Sequence, residues 1–227
     1  MCKTPGFPVN LLFSWGLMAW AMSTGGCVTG PHEPANLDPL KQEIRIYVDS
    51  GGYDRDIAAV AAKATAWLEE RAARRTPGER LALVLDLDET LLSDLAAEKE
   101  NDFGGSDATW AAWLAMGDAP AIGAVRAVYR RARQLHIEVF LLTGRAERDR
   151  PPTEKNLVAI GCNDYAGLIM KPNDDRRPVA AFKTGERKRL TAAGRAIVAN
   201  IGDQESDLAG GYAERTFKLP NPFYLTP

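Results

Sequence analysis

The chain has little cysteine, little histidine and almost no excess of charge. Its three cysteines are too few for a disulfide framework. With only two histidines, a catalytic cysteine would have few candidates for an activating partner. The 28 basic and 30 acidic side chains nearly cancel, which argues against duplex nucleic acid as a partner. Glycine and proline follow no fixed period, which excludes collagen-like and solenoid folds.

What the chain does contain is typical of one globular domain. Of its 227 residues, 45% are hydrophobic and 26% are charged, which is too apolar and too balanced in charge for general disorder. A chain of this length can bury one sizeable core.

An apolar segment near the N-terminus has the layout of a secretory signal. Lys3 is the only charged residue before Glu33, and residues 9–22 are almost entirely apolar. As a helix this segment is too short to cross a hydrocarbon core of ~30 Å comfortably. Small residues follow it. We therefore interpret residues 1–26 as a signal peptide and residues 27–38, which are rich in glycine and proline, as a flexible tether.

Two processing sites compete at the end of this segment. Residues 24–27 resemble a bacterial lipobox in which Cys27 is lipidated, although Thr24 stands where leucine is commonest. Lipidation is the preferred interpretation, and it predicts an outer-membrane lipoprotein of the bacterial cell envelope that faces the periplasm and is held by a lipid anchor at Cys27. Cleavage after Ala21, where the small-x-small rule is also satisfied, would instead release a soluble periplasmic protein.

Helical and strand patterns alternate after the tether. Residues 54–75 place apolar side chains at helical spacing, and residues 81–85 form the short apolar run typical of a strand buried on both faces. Further helices are predicted over 121–135, 153–160 and 184–194, and further strands over 137–142, 167–170, 196–201 and 216–219. This alternation predicts a single α/β domain over residues 39–227, with a doubly wound, mainly parallel sheet and an N-terminal helical extension.

Polar residues follow the predicted strands, where ligands bind in such sheets. They are Asp86 and Asp88 after the first strand, Thr143 and Gly144 after the second, and Asp203 and Asp207 after the fourth, with Lys183 at the start of the preceding helix. Four carboxylates at one sheet edge would raise one another's pKa values. A hard divalent cation such as Mg²⁺, which prefers oxygen ligands, resolves this conflict.

These residue types fit phosphoryl transfer. Asp86 can attack a phosphate and form an aspartyl-phosphate, and Asp88 can act first as general acid and then as general base. Thr143 and Gly144 can hydrogen-bond the phosphoryl oxygens, and Lys183 supplies positive charge. Because the transition state spreads its charge over the phosphoryl group, positioning and electrostatics would provide most of the catalysis.

The chain resembles the haloacid dehalogenase superfamily through four segments in order: VLDLDETLL, LLTGR, the lysine of FKTGERKRL, and IGDQESDL. It is more narrowly similar to the secreted acid phosphatase subfamily through YVDSGGYDRDI, WAAWL, PPTEKNLVAIG and FKLPNPFYL. That subfamily includes bacterial class C lipoprotein acid phosphatases and plant vegetative-storage-type phosphatases. The resemblance covers about residues 40–227 and implies a Rossmannoid fold of the haloacid dehalogenase type.

The resemblance also implies an acid phosphatase that hydrolyses phosphomonoesters, with nucleoside monophosphates among the candidate substrates. It makes Asp86 the nucleophile and Asp88 the acid and base. It places Mg²⁺ on Asp86, on the backbone carbonyl of Asp88 and on Asp203, with Asp207 as a ligand or directly behind the ligands.

The resemblance assigns the remaining motif residues to the substrate. Thr143 and Gly144 would bind phosphate. Lys183 is preferred over Lys171 as the motif lysine, because the Phe-Lys-Thr sequence around Lys183 matches the family pattern better.

The resemblance further implies that residues 93–119 form a small helical cap over the site. Trp110 and Trp113 lie three apart on a predicted helix in this cap. They either stack on a substrate base or aryl group, or pack the cap onto the body, and the second role is preferred.

Two other functions stay open on the same scaffold: an inactive envelope binding or storage protein, and a phosphotransferase. Some plant storage members replace the nucleophile. Asp86 is intact here, which favours a working enzyme. The oligomeric state is left open.

Overall fold

The computed structural model describes residues 34–226. The predicted signal peptide (1–26), the predicted lipidation site Cys27 and most of the predicted tether lie outside the described residues. Within the described part of the chain, no helix is both long enough and apolar enough to cross a membrane. The described residues from Asn36 onward belong to one compact unit.

Helices and strands alternate along this unit. The α-helices are α1 (Asp38–Asp49), α2 (Gly52–Ala73), α3 (Leu95–Glu100), α4 (Asp107–Met116), α5 (Gly123–Gln134), α6 (Arg150–Ala159), α7 (Val179–Ala192) and α8 (Glu205–Leu208). The strands are β1 (Arg80–Leu85), β2 (Glu138–Ala146), β3 (Gly167–Lys171), β4 (Arg195–Gly202) and β5 (Arg215–Lys218).

The five strands form one parallel sheet in the order β3-β2-β1-β4-β5. The central strand β1 ends with Leu85 level with Leu141 of β2 and Ile201 of β4. The carboxyl ends of these three strands therefore lie side by side. This confirms the predicted α/β fold with a mainly parallel sheet.

Helices cover both faces of the sheet because the side chains of each strand alternate between them. Leu81, Leu83 and Leu85 of β1 belong to one buried cluster, which also contains apolar residues of α2, α5 and α6. Ala82 and Val84 belong to a second cluster, which contains apolar residues of α7. A strand buried on both sides is what the unbroken apolar run predicts.

Several element boundaries differ from those predicted. Helix α7 begins at Val179 and not at residue 184, because Pro178 stands directly before the first helical turn, where its fixed φ suits a helix start. Lys183 therefore lies in the second turn of α7 rather than at its beginning. Helix α2 begins at Gly52, two residues before Asp54. The residue that caps it is Gly51, whose backbone is in the left-handed region (φ 71°), and not Asp54 as predicted.

Arg187 of α7 forms hydrogen bonds to the backbone of the loop that follows β4. Its side chain is fully buried, and it donates from Nη1 to the Asp207 carbonyl at 2.6 Å and from Nε to the Gly211 carbonyl at 3.0 Å. Nη2 donates to the carbonyl of Ala209. Three backbone carbonyls of this loop thus accept from one guanidinium group. The Asp207 carbonyl also accepts from the Asn200 amide group, and the Ala209 carbonyl also accepts from the Thr184 hydroxyl.

We expect Arg187→Met to lower the free energy of unfolding by about 1–3 kcal/mol, because it removes the charged hydrogen bonds that a buried guanidinium group donates to this loop. Urea denaturation measures this change. Arg189→Met is the matched control on the same helix, since Arg189 is exposed and pairs with Glu186, three residues earlier. The control should cost less than about 1 kcal/mol. Equal losses in the two variants would contradict the assigned role of Arg187.

Candidate active site

Three carboxylates converge at the carboxyl edge of the sheet. Asp86 follows β1, Asp203 follows β4, and Asp207 lies in α8. All three are buried, and one oxygen from each lies within 4.8 Å of the others. Because β1 and β4 are neighbouring parallel strands, their ends bring Asp86 and Asp203 together although more than a hundred residues separate them in the sequence.

Lys183 reaches this carboxylate cluster from α7. Its Nζ donates to Oδ1 of Asp86 at 2.5 Å and to Oδ1 of Asp207 at 2.6 Å. Burial alone would lower the pKa of Lys183, but the two carboxylates outweigh it and raise the pKa above its usual value. Lys183 therefore stays a cation.

One lysine does not balance three buried carboxylates. Burial raises the pKa of Asp86 well above its usual value, and the nearby Asp207 carboxylate raises it further against the opposing effect of Lys183. Burial and Asp207 likewise raise the pKa of Asp203. A second cation at this point would stabilise the charged forms. The donor set, which consists of closely spaced carboxylate oxygens, fits a hard divalent metal ion.

Asp203 is held in place by three side-chain donors, of which two come from distant parts of the sequence and one from its neighbour. It accepts from the Thr90 hydroxyl at 3.1 Å, from the Gln204 amide group at 2.7 Å and from the Asn221 amide group at 2.7 Å. Neither Thr90 nor Asn221 was predicted to take part in the site. The only signal for Asn221 was its position in the FKLPNPFYL segment.

Asp88 lies beside the carboxylate cluster but is not part of it. Its side chain is engaged by Arg145, whose Nη2 donates to Oδ1 at 2.5 Å and whose Nε donates to Oδ1 at 3.0 Å and to Oδ2 at 3.1 Å. Arg145 was not predicted to take part in the site. Its signal was a charged residue three positions after the predicted apolar strand, because an arginine buried at a strand end requires a partner.

The two predicted phosphate-binding residues lie at the end of β2. Gly144 lines a cavity above Asp86 and Asp88. Thr143 is fully buried, and its hydroxyl accepts from the backbone N–H of Arg145 at 3.0 Å. Both residues belong to the last part of β2, which extends to Ala146 and is longer than predicted.

The cavity has a charged floor and a partly aromatic wall. It encloses about 480 Å³. The carboxylate cluster, Asp88, Arg145 and Lys183 form the floor. Phe103, Trp110, Phe223 and Tyr224 contribute aromatic rings to the wall, the first two from the segment over residues 93–119 and the others from the C-terminal segment.

The two tryptophans of the predicted cap have different surroundings. Trp113 packs against the main buried cluster and donates from Nε1 to Asp94 at 2.6 Å. It therefore packs this segment onto the body. Trp110 lines the cavity. The packing role expected for both residues thus describes Trp113, and contact with a ligand is open to Trp110.

A buried hydrogen-bonded chain connects this segment to α2. Tyr53 of α2 donates from its hydroxyl to Glu89, which also accepts from the backbone N–H of Asp94 at 2.5 Å. Burial raises the pKa of Glu89 to about 7. Glu89 has a positive φ of 48°, which turns the chain sharply after Asp88. Sequence patterns did not reveal this network, because its members are distant polar residues with no shared spacing.

Comparison with known proteins agrees with this geometry. Residues 31–227 match the family model described as HAD superfamily, subfamily IIIB (Acid phosphatase). The chain is 35% identical to Acid phosphatase 1 of Solanum lycopersicum over 204 residues, which cover 85% of this chain and 79% of that protein. It is 34% identical to Vegetative storage protein 1 of Arabidopsis thaliana over 149 residues, which cover 63% of this chain and 55% of that protein.

The fold is also found in a solved structure, the class C acid phosphatase from Bacillus anthracis. The two structures superpose with a TM-score of 0.69 at 19% sequence identity, over 82% of this chain and 86% of that one. At this identity the likeness establishes the shared fold. The family model and the tomato relative together identify the family, and the chain belongs to the acid phosphatases of HAD superfamily subfamily IIIB and is a phosphatase.

Proposed function

We propose that this chain is a Mg²⁺-dependent acid phosphatase that hydrolyses phosphomonoesters through an aspartyl-phosphate on Asp86. The observation that carries the proposal is the placement of Lys183 between Asp86 and Asp207, with Asp203 beside them, on the floor of an open cavity. A phosphate that enters this cavity meets a nucleophile and a fixed cation together. Such preorganised charge is the main source of catalysis in phosphoryl transfer.

In the first step, a carboxylate oxygen of Asp86 attacks the phosphorus atom of the ester. The P–O bond to the leaving group breaks as the new bond to Asp86 forms. Asp88 donates a proton to the departing oxygen, so that the product leaves as a neutral alcohol. Lys183 offsets the negative charge that the phosphoryl oxygens carry, and the Gly144 backbone N–H and the Thr143 hydroxyl are proposed to hold those oxygens.

In the second step, the Asp88 carboxylate takes a proton from a water molecule. The water oxygen attacks the phosphorus atom, the bond to Asp86 breaks, and inorganic phosphate is released. Asp86 returns to its carboxylate form, and Asp88 regains the proton that it gave away. The same side chain thus acts as acid and then as base.

The metal is proposed to lie on Asp86, Asp203 and the backbone carbonyl of Asp88, with Asp207 as a further ligand or directly behind them. When bound, Mg²⁺ supplies the positive charge that offsets the phosphate and the buried carboxylates. Asp203 is well suited to this role, because Thr90, Gln204 and Asn221 already fix its orientation. The solved Bacillus anthracis relative has also been crystallised with tungstate bound, an oxyanion that resembles phosphate, which supports an anion site in this fold.

Nucleoside monophosphates are the proposed substrates. The cavity volume of about 480 Å³ exceeds what a phosphate group alone requires. The ring of Trp110 offers a flat apolar surface on the cavity wall, and Phe103 and Tyr224 line the same cavity. Aromatic rings stack on nucleobases with little dependence on their identity.

We expect Asp86→Asn to abolish the hydrolysis of p-nitrophenyl phosphate, because it removes the nucleophile. Asp88→Asn should lower turnover of this substrate by about 10²–10⁴-fold, because it removes the base that activates water in the second step. Asp174→Asn, at an exposed position, is the matched control and should leave turnover unchanged. Release of p-nitrophenol is measured with Mg²⁺ and again with EDTA, which should stop the reaction.

Three outcomes would contradict the proposal. Full activity in EDTA would show that the reaction does not require a metal ion. Binding of phosphate without turnover would indicate the storage or binding protein. An added alcohol that increases phenol release without an equal increase in free phosphate would indicate a phosphotransferase.

Trp110→Ala should raise the KM for adenosine monophosphate by about tenfold, because stacking on one base contributes about 1–3 kcal/mol. The KM for a small alkyl phosphate should not change. Met116→Ala, on the exposed side of the same helix, is the control and should affect neither substrate. An equal rise in KM for both substrates would show that Trp110 does not contact the base.

The cellular location is proposed to be the bacterial cell envelope, with a lipid anchor at Cys27. Metabolic labelling with palmitate should mark the wild-type chain and not Cys27→Ala. The variant should then be released into the soluble fraction. An unlabelled wild-type chain would favour cleavage after Ala21 and a soluble periplasmic protein.

A further inference from the structure

Arg145 is a buried cation to which the proposed mechanism gives no part. Only 3% of its side chain is exposed. Burial of a guanidinium is costly, and it persists only where the charge is paired and its donors are satisfied. The partner of Arg145 is Asp88, the proposed acid and base, which lies 57 residues earlier in the sequence.

The contact between Arg145 and Asp88 is asymmetric. Oδ1 of Asp88 accepts two hydrogen bonds, from Nη2 at 2.5 Å and from Nε at 3.0 Å. Among the residues that the structure describes, Oδ2 accepts one hydrogen bond, from Nε at 3.1 Å. Because a guanidinium only donates, a proton on this carboxyl group is placed on the less engaged oxygen, Oδ2.

The other end of the guanidinium is also fixed. Nη1 of Arg145 donates to the Thr153 hydroxyl at 3.1 Å. Thr153 is fully buried in the first turns of α6, and its hydroxyl donates to the Asp149 carbonyl at 2.8 Å. The fork that holds Asp88 is therefore tied to the backbone at the start of α6, and neither end turns freely.

We propose that Arg145 is a positioning residue, which holds Asp88 with Oδ2 available to the leaving-group oxygen and thereby equips the enzyme for alkyl phosphate esters, whose leaving groups require a proton. This inference rests on the proposed function, since it assigns the orientation of the acid in that reaction. Arg145 acts through Asp88 and takes no proton itself.

The chemistry of the leaving group makes the proposal testable. As the P–O bond breaks and the bond from Asp86 to phosphorus forms, the electron pair goes to the departing oxygen. A p-nitrophenolate ion carries that pair stably without a proton. An alkoxide does not, so the proton of Asp88 must move to it in the same step. Misplacement of Oδ2 therefore slows alkyl esters much more than aryl esters.

The experiment compares Arg145→Gln and Arg145→Lys with wild type on p-nitrophenyl phosphate and glycerol 2-phosphate. The quantity measured is kcat/KM, because the later hydrolysis of the aspartyl-phosphate is common to both substrates. We expect the value for glycerol 2-phosphate to fall about 10²-fold more than the value for p-nitrophenyl phosphate. Lysine should not rescue it, since one ammonium group does not reproduce the two-pronged contact. The inhibition constant of inorganic phosphate should stay unchanged.

Two variants at Thr153 test the same contact from its other end. Thr153→Val removes the hydroxyl that holds Nη1. It should lower kcat/KM for glycerol 2-phosphate more than for p-nitrophenyl phosphate, but by less than Arg145→Gln does. Thr153→Ser keeps the hydroxyl and should restore wild-type selectivity. This pair decides the question even where an Arg145 variant fails to fold. Arg148→Gln, at a nearby exposed position, is the control for loss of an arginine in this region.

Equal losses on the two esters would overturn the proposal and assign Arg145 a purely structural role. Weaker inhibition by phosphate would overturn it in favour of direct substrate binding by Arg145. Asp88→Asn separates these failures from failure of the proposed function. If Asp88→Asn selectively lowers kcat/KM for the alkyl ester and the Arg145 variants do not, only the positioning role of Arg145 is wrong. If Asp88→Asn keeps wild-type rates, the proposed function itself falls.

Discussion

The site depends on one electrostatic arrangement, the burial of three carboxylates around a single lysine. Asp86, Asp203 and Asp207 are held close together where water screens little, and Lys183 pairs with only two of them directly. The remaining excess of negative charge is unfavourable in isolation. A bound divalent cation would offset this excess. The proposed metal ion would therefore be held by the charge imbalance that the fold maintains.

Two buried arginines maintain the surroundings of this carboxylate cluster. Arg187 binds the backbone of the loop that carries Asp207, and Arg145 binds the side chain of Asp88. Each guanidinium group satisfies several acceptors, and neither belongs to the carboxylate cluster. A loop that must hold like charges together needs such external support, because the charges themselves push it apart.

The fold and the main candidates followed from local patterns. Unbroken apolar runs predicted buried strands, and three of the carboxylates that follow those runs, Asp86, Asp203 and Asp207, lie together in the structure. The boundaries were less accurate. Helix α7 starts earlier than predicted because Pro178 marks its beginning, and β2 continues past Thr143. Tertiary contacts extend or shorten an element by a few residues in ways that periodicity does not record.

The sequence alone determined the inventory of reactive groups and their order along the chain, since a parallel sheet places the ends of its strands at one edge. Only the tertiary structure decided which groups pair. Asp88 accepts hydrogen bonds from Arg145, Trp113 donates to Asp94, and Trp110 lines the cavity. The physical reason is that pairing depends on the rotation of helices and the path of loops. These are set by packing among distant residues and leave no trace in local spacing.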